Sequence, residues 1–302
     1  MKLAILLTGN LRTYELVGPI TKSIFSCYDV DYFCSIDLCN TYQCVNMNPK
    51  DETDITHIEK VKTLFNPKKI YTSNGCPFDW TTILKLYPTT VRYDPVNSNL
   101  SYNKCLNDNL NPYVKSDKFK HININITDLK RRFYQYYFVY KCYVLFYQYH
   151  EETKTQYDLV IRLRFDQFLF NHQIRNTFNQ YLSFNNTNIY KVKELASTNT
   201  NYIKLPHLND NEIALFGSGD FGGYLWVNDQ FWITNFNTAK LMFEFYLHLF
   251  DIFKDSVINY YPCRGVVPEH FLAKYLLKNK IKVVLTPPDI CGIFIRQLET
   301  KS

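Results

Sequence analysis

Lys2-Leu3-Ala4-Ile5-Leu6-Leu7-Thr8-Gly9-Asn10-Leu11-Arg12-Thr13 opens the chain, and its reading sets the fold class. Residues 2–7 form a continuous apolar run, the pattern of a strand in a parallel sheet covered on both faces. Thr8–Thr13 then turns into a helix predicted over 14–27. Val30–Ile36 reads as a second strand and Lys69-Ile70-Tyr71 as a short third. A β-α-β opening of this kind predicts an α/β fold built on a doubly wound sheet flanked by helices. Met1-Lys2 before Leu3–Leu7 imitates the start of a signal peptide. That apolar run is shorter than the ~7–15 residues such segments carry, and it fits a buried strand better. No stretch approaches the ~20 apolar residues of a membrane span. The expectation is a protein with no signal peptide and no membrane span, in a cytoplasmic, reducing compartment.

Bulk properties narrow the class. With 302 residues and 46% hydrophobic content the chain can bury a sizeable core, as one large α/β domain or two small ones. A net charge of +6 is mildly basic and suits a site for a phosphorylated small molecule. The Lys/Arg stripe of a nucleic-acid binder is missing: Lys130-Arg131-Arg132 opens a long helix and reads as a solvated face, so no nucleic acid is expected. Nine cysteines, an odd number without any CxxC pair, support neither a zinc site nor a disulfide framework. They read as reduced, small apolar residues.

Further along, Asn125-Ile126-Thr127-Asp128 starts a helix that runs to about Glu152. Its inward residues are predicted as Leu129, Phe133, Tyr136, Tyr137, Tyr140, Val144 and Phe146. The helix feeds Tyr157-Asp158-Leu159-Val160-Ile161-Arg162-Leu163-Arg164-Phe165-Asp166, a strand whose alternate positions carry Asp158, Arg162, Arg164 and Asp166. Residues 73–120, rich in Asn, Pro, Ser and Asp, read as a long insertion lying over an active site. Residues 171–204 read as a polar excursion with irregular helix. Strands are predicted from Glu212 to Ile233, helices over 237–253 and from Pro268, and a last strand over 280–285.

Four motifs carry chemistry. In the first turn, Gly9 lets backbone approach a ligand and Arg12 can grip a phosphate or carboxylate bidentately. The turn has neither a GxGxxG nor a GxxxxGK[ST] pattern, so a Rossmann dinucleotide site and a P-loop are unsupported; a plain strand-to-helix turn is the alternative. Arg162-x-Arg164-x-Asp166 offers an oxygen ligand and phosphate-directed cations, or else an ion-paired core strand. Asn228-Asp229-Gln230-Phe231 follows a segment, 217–223, that holds four glycines, with Asp229 as a candidate base or as a turn residue. Pro268-Glu269-His270 places Glu269 in the first turn of a helix, where the macrodipole favours it whatever its role.

Taken in order along the chain, the turn Gly9-Asn10-Leu11-Arg12-Thr13-Tyr14, Tyr157-Asp158 to Asp166, Asn228-Asp229-Gln230-Phe231 and Pro268-Glu269 resemble the GT-A-type glycosyltransferases encoded by giant DNA viruses. The resemblance spans nearly the whole chain apart from 73–120 and 171–204. It implies a single GT-A-like domain over 1–302, with a nucleotide-sugar-binding half over 1–170 and an acceptor half over 171–302. It also implies transfer of a sugar from a nucleoside diphosphate sugar to an acceptor hydroxyl on a glycan or protein, in the host cytoplasm if the source is viral. Carried over residue by residue, Thr8, Gly9, Asn10, Arg12, Arg162, Arg164, Asn228 and His270 would bind the nucleotide sugar. Asp166 would hold Mn²⁺ or Mg²⁺, and Asp229 and Glu269 would be catalytic. The chain departs from the family in one place: Arg164-Phe165-Asp166 has a single carboxylate where the family's Asp-x-Asp has two. Two other readings are a non-catalytic carbohydrate- or nucleotide-sugar-binding protein on a decayed glycosyltransferase fold, and a structural or interaction protein.

Overall fold

A computed structural model describes residues 1–38, 55–73, 90–93, 120–123, 126–170, 182–183, 186–187, 203–216, 218–220, 225–249, 251–252, 268–286 and 291–294. In chain order the elements are β1 (Lys2–Gly9), α1 (Tyr14–Ile24), β2 (Asp29–Asp37), α2 (Ile55–Phe65), β3 (Lys69–Ser73), β4 (Thr90–Tyr93), β5 (Lys120–Asn123) and α3 (Ile126–Thr153). There follow β6 (Leu159–Arg164), β7 (Gln167–Phe170), β8 (Leu182–Ser183), β9 (Asn186–Thr187), β10 (Glu212–Leu215), β11 (Ser218–Asp220) and β12 (Leu225–Val227). The chain ends with β13 (Trp232–Thr234), α4 (Phe236–Glu244), α5 (Pro268–Lys278), β14 (Lys282–Leu285) and β15 (Cys291–Phe294). The fold is α/β. Two compact units share these elements: the first takes Met1–Asn74, Lys141–His207 and Thr286–Ser302, the second Gly75–Tyr140 and Leu208–Leu285.

In the first unit four strands run parallel in the order β3-β2-β1-β6. Leu3 to Leu7 and Phe33 to Ile36 are buried without alternation, as the continuous apolar pattern predicts for strands covered on both sides. Phe33 meets Phe146 and Tyr149 of α3 edge-on at 5.5 and 5.6 Å, whereas its neighbour Tyr32 meets Phe65 of α2 at 5.2 Å. Successive residues of a strand point to opposite faces, so α3 and α2 cover opposite sides of this sheet. At the amino ends of the strands, charge fixes the register. Asp158 accepts from the Lys2 amide at 2.7 Å, and buried Asp31 accepts from the Tyr157 hydroxyl at 2.8 Å and pairs with Lys2 and Lys68. β7 leaves this sheet and pairs antiparallel with β15, an arrangement absent from the predicted elements.

The predicted helix over 14–27 ends at Ile24, where Phe25 and Ser26 close it by donating to Thr21 and Ser23 carbonyls. α2 is also absent from the prediction. Its partner α1 approaches closely at Gly18, where an added Cβ would lie 2.5 Å from Leu64 Cδ2 and 2.9 Å from Phe65 Cζ. Only nine glycines occur in the chain, so helices close on other residues in the left-handed region: Asn66 after α2, Lys154 after α3 and Lys280 after α5. After α5, Ile281 N–H donates to the Leu276 carbonyl and Lys280 N–H to Leu277, the paired bonds of a Schellman cap.

In the second unit β10 lies between β13, antiparallel, and β14, parallel. Asn235 caps α4 by accepting from the Thr238 amide at 2.8 Å. The helix predicted over 237–253 stops at Glu244 and tightens, with His248 and Leu249 donating to carbonyls three residues back. The glycine-rich run contributes β11 to an antiparallel pair with β12; residues 221–224 lie outside the described residues. Of the insertion predicted over 73–120, only Ser73, Thr90–Tyr93 and Lys120 are described, β4 pairing antiparallel with β5. Of the excursion over 171–204, the described part includes the two-residue strands β8 and β9 in place of helix; the rest of the predicted irregular helix falls outside the described residues.

α3 is the predicted long helix, but its buried residues exceed the predicted stripe. Phe138, Val139, Cys142 and Tyr143 are buried as well as Phe133, Tyr136, Tyr137 and Phe146, while Tyr140 and Val144 are partly exposed and the Leu129 side chain lies outside the described residues. A helix apolar on more than one side is covered on more than one side, which a single-face pattern does not anticipate. Among the described residues no helix is long and apolar enough to cross a membrane.

Gly18→Ala is expected to destabilise the protein by about 1–3 kcal/mol through overpacking between α1 and α2, measured by urea unfolding. Cys34 and Cys142 are fully enclosed, and burial pushes both thiols up, whereas Cys27 is exposed. Brief iodoacetamide treatment of the native protein, followed by peptide mapping, is expected to label Cys27 and to reach Cys34 and Cys142 only after unfolding.

Candidate functional site

The polar positions of the first unit gather where β1 and β6 end. Neighbouring residues in register on parallel strands project to the same face, so Arg164, Thr8, Ser35 and Tyr71 form one row across the sheet, on the side covered by α3. Thr8 is buried and its hydroxyl donates to the Leu163 carbonyl at 3.4 Å. Ser35 is fully buried, with no hydrogen-bond partner for its hydroxyl among the described residues. Arg162, 1% exposed, lies one row deeper on the same face of β6. Two residues beyond Ser35, Asp37 ends β2 and accepts from Asn10 Nδ2 at 3.3 Å.

The turn from β1 into α1 is bent at both ends. Gly9 has φ 102°, a conformation that favours glycine, and nothing lies near its absent side chain, so the backbone angle alone requires it. Arg12 has φ 39°, which costs an L-residue roughly 1–2 kcal/mol. Its side chain, 2% exposed, donates from Nη1 to Asp166 Oδ2 at 2.8 Å.

β6 stops at Arg164, and Asp166 lies in the two-residue turn before β7 instead of continuing the strand. That turn lets Arg164 grip Asp166 from two positions back, Nε donating to Oδ1 at 2.8 Å and Nη2 to Oδ2 at 2.9 Å. Both oxygens of a carboxylate that is 1% exposed are therefore held by guanidinium groups. Bidentate, charge-assisted pairing of this kind is the strong form of the hydrogen bond. Gln167, the next residue, is also buried, and its Oε1 has no hydrogen-bond partner among the described residues. Among the described residues there is no group of three or more His, Cys, Asp or Glu side chains that could hold a metal ion.

The second unit holds the remaining predicted site residues. Asn228 accepts from the Gln230 amide at 3.0 Å, forming a local turn that sets Asp229. Asp229 is 1% exposed and accepts from Gln135 Nε2 at 2.6 Å and from the Tyr136 hydroxyl at 3.2 Å, both on α3. Phe231 stacks on Phe216 at 4.3 Å and anchors the chain just after it. Glu269 lies in the first turn of α5, partly exposed but with Oε2 buried. The His270 side chain lies outside the described residues.

Thus Thr8, Gly9, Asn10, Arg12, Arg164 and Asp166 meet in one unit, and Asn228 and Asp229 in the other. Asp37, Ser35, Tyr71 and Gln167 are additional polar or aromatic positions beside the first group. The signal that would have found Asp37 is the one that singled out Asp166, a carboxylate closing an apolar strand. Comparison with protein-family models, with curated proteins and with solved structures returns no match for the chain.

Removing the Tyr136 hydroxyl with Tyr136→Phe leaves Asp229 one charge-assisted bond short in a buried position. The expected loss is about 1.5–3 kcal/mol of stability, measured by denaturant unfolding.

Proposed function

We propose that this chain is a glycosyltransferase of the GT-A type, moving a sugar from a nucleoside diphosphate sugar to an acceptor hydroxyl on a glycan or protein. The observation that carries the reading is the cluster of Arg12, Arg164 and Asp166 beside Gly9 and Asn10 at the carboxyl ends of β1 and β6. Open α/β sheets bind their ligands at the carboxyl ends of the strands. Breaking the sugar–phosphate bond leaves negative charge on the departing diphosphate, and fixed guanidinium groups in a water-poor setting stabilise such charge best.

In this reading Thr8, Gly9 and Asn10 lie along the donor, Arg12 and Arg164 meet its phosphates, and Arg162 adds positive potential from beneath. Asn228 and His270 are assigned to the nucleotide sugar. Asp229 is assigned the acceptor proton in an inverting reaction, with Glu269 the other carboxylate for that role. A non-catalytic nucleotide-sugar-binding protein is the second reading, favoured by the single carboxylate of Arg164-Phe165-Asp166 and its engagement by two arginines.

The test is incubation with UDP-, GDP- and CMP-sugars, with and without Mn²⁺, followed by detection of released nucleotide. Release from one donor class is expected, and Asp229→Asn is expected to slow it by about 10²–10⁴-fold, the usual contribution of a general base. If calorimetry finds a sugar nucleotide bound and no release occurs under any condition, the binding-protein reading replaces the enzyme.

A further inference from the structure

We infer that Gln135 and Tyr136, adjacent residues of α3, are positioning residues that fix the Asp229 carboxylate for taking up the acceptor proton. The inference rests on the proposed reading of Asp229 as the base of an inverting transfer. In that step the acceptor oxygen bonds to the sugar's anomeric carbon and its proton passes to Asp229. The sugar–phosphate bond breaks, and its electron pair leaves on the diphosphate.

Both donors reach the same atom. Asp229 Oδ2 accepts from Gln135 Nε2 at 2.6 Å and from the Tyr136 hydroxyl at 3.2 Å. Two bonds from one helix to one oxygen set where that oxygen sits. The backbone on either side is set independently. Asn228 Oδ1 accepts from the Gln230 amide at 3.0 Å, and Phe231 stacks on Phe216 with 11° between the rings. A base held at both its backbone and its carboxylate has its orientation settled before the reaction, which is how positioning lowers a barrier.

The two donors are themselves held differently. Tyr136 is buried, and its ring meets Phe245 edge-on at 4.7 Å. Phe245 in turn packs against Tyr275 of α5 at 5.0 Å, and the Tyr275 hydroxyl donates to the Leu241 carbonyl of α4. This chain of rings holds the Tyr136 hydroxyl in place from within the core. Gln135 is partly exposed, so its bond can be removed by substitution with the interior packing left as it is. A hydrogen bond to the ionised carboxylate favours that form over the protonated one. A positioning donor therefore leaves a signature in the pH dependence of the reaction as well as in its rate.

The full chain is assayed across pH for nucleotide release from UDP-, GDP- and CMP-sugars, with water as the acceptor. Gln135→Met is expected to lower kcat about ten- to hundredfold with KM for the donor unchanged. It is also expected to move the acid limb of the profile up by about one pH unit, the loss of one bond to the ionised carboxylate. NMR titration of the side-chain carboxyls, with Asp229 assigned by its loss in Asp229→Asn, is expected to move by the same amount. Tyr136→Phe is expected to move both in the same direction, and the milder Gln135→Met carries the test where Tyr136→Phe folds poorly. An acid limb that stays put while activity follows only the folded fraction overturns the inference. So does a rise in KM at unchanged kcat, or an Asp229 titration that Gln135→Met leaves unmoved. Each of these leaves the transferase reading intact. No release from any donor by the wild-type chain removes the transferase reading and the positioning role with it, and a titration that still moves then marks a bond that serves the fold alone.

Discussion

The ion cluster at Asp166 joins three separate pieces of the first unit: the strained turn after β1, the end of β6 and the start of β7. Arg12 holds a left-handed backbone angle that its residue type disfavours, and its 2.8 Å contact to Asp166 supplies an interaction that offsets the strain. Arg164 reaches the same carboxylate only because β6 stops and turns after it. Taking away either arginine leaves a carboxylate in a site 1% exposed with fewer counter-charges, so the turn, the strand end and the carboxylate stand or fall together.

The opposite end of the same sheet shows what charge does when it serves the fold alone. Asp31 is buried with Tyr157, and Lys2 and Lys68 neutralise it while keeping much of their own surface in water. These lysines reach in from the surface along their apolar stems. Here cations can exchange with solvent, and the carboxylate fixes the starts of strands. At the carboxyl ends the arginines are the buried partners, a costlier arrangement.

How much of this was legible in the sequence follows from where each signal resides. The parallel strands were readable because Leu3–Leu7 and the run after Val30 are apolar at every position, a pattern few structures other than a doubly covered strand produce. Gly9, Arg12, Arg164 and Asp166 were readable as special because polar groups and a glycine ended apolar runs. Their mutual contacts were not, since Arg12 and Asp166 are far apart in sequence and meet only through strand pairing. α2 was missed because its apolar stripe is broken by lysines and glutamate, and β7 and β15 because each is four residues long and neither makes sense without the other. The two interleaved units were hidden for a related reason: α3 passes from one into the other between Tyr140 and Lys141, in mid-helix, where composition does not change.

Two buried carboxylates, each 1% exposed, then separate by what surrounds them. Asp166 is bound by cations, and its charge is spent on holding them in place. Asp229 accepts from the amide of Gln135 and the hydroxyl of Tyr136, donors that are themselves neutral. Burial makes each arrangement more consequential than it would be in water, because interactions there are weakly screened. The difference gives the two residues different electrostatic settings: a charge-paired cluster at Asp166, and a carboxylate held by neutral donors at Asp229. Neither setting is written in the aspartate itself. Each comes from the side chains that the fold brings to it, the arginines of a turn and a strand end in one case, and two adjacent residues of a long helix in the other.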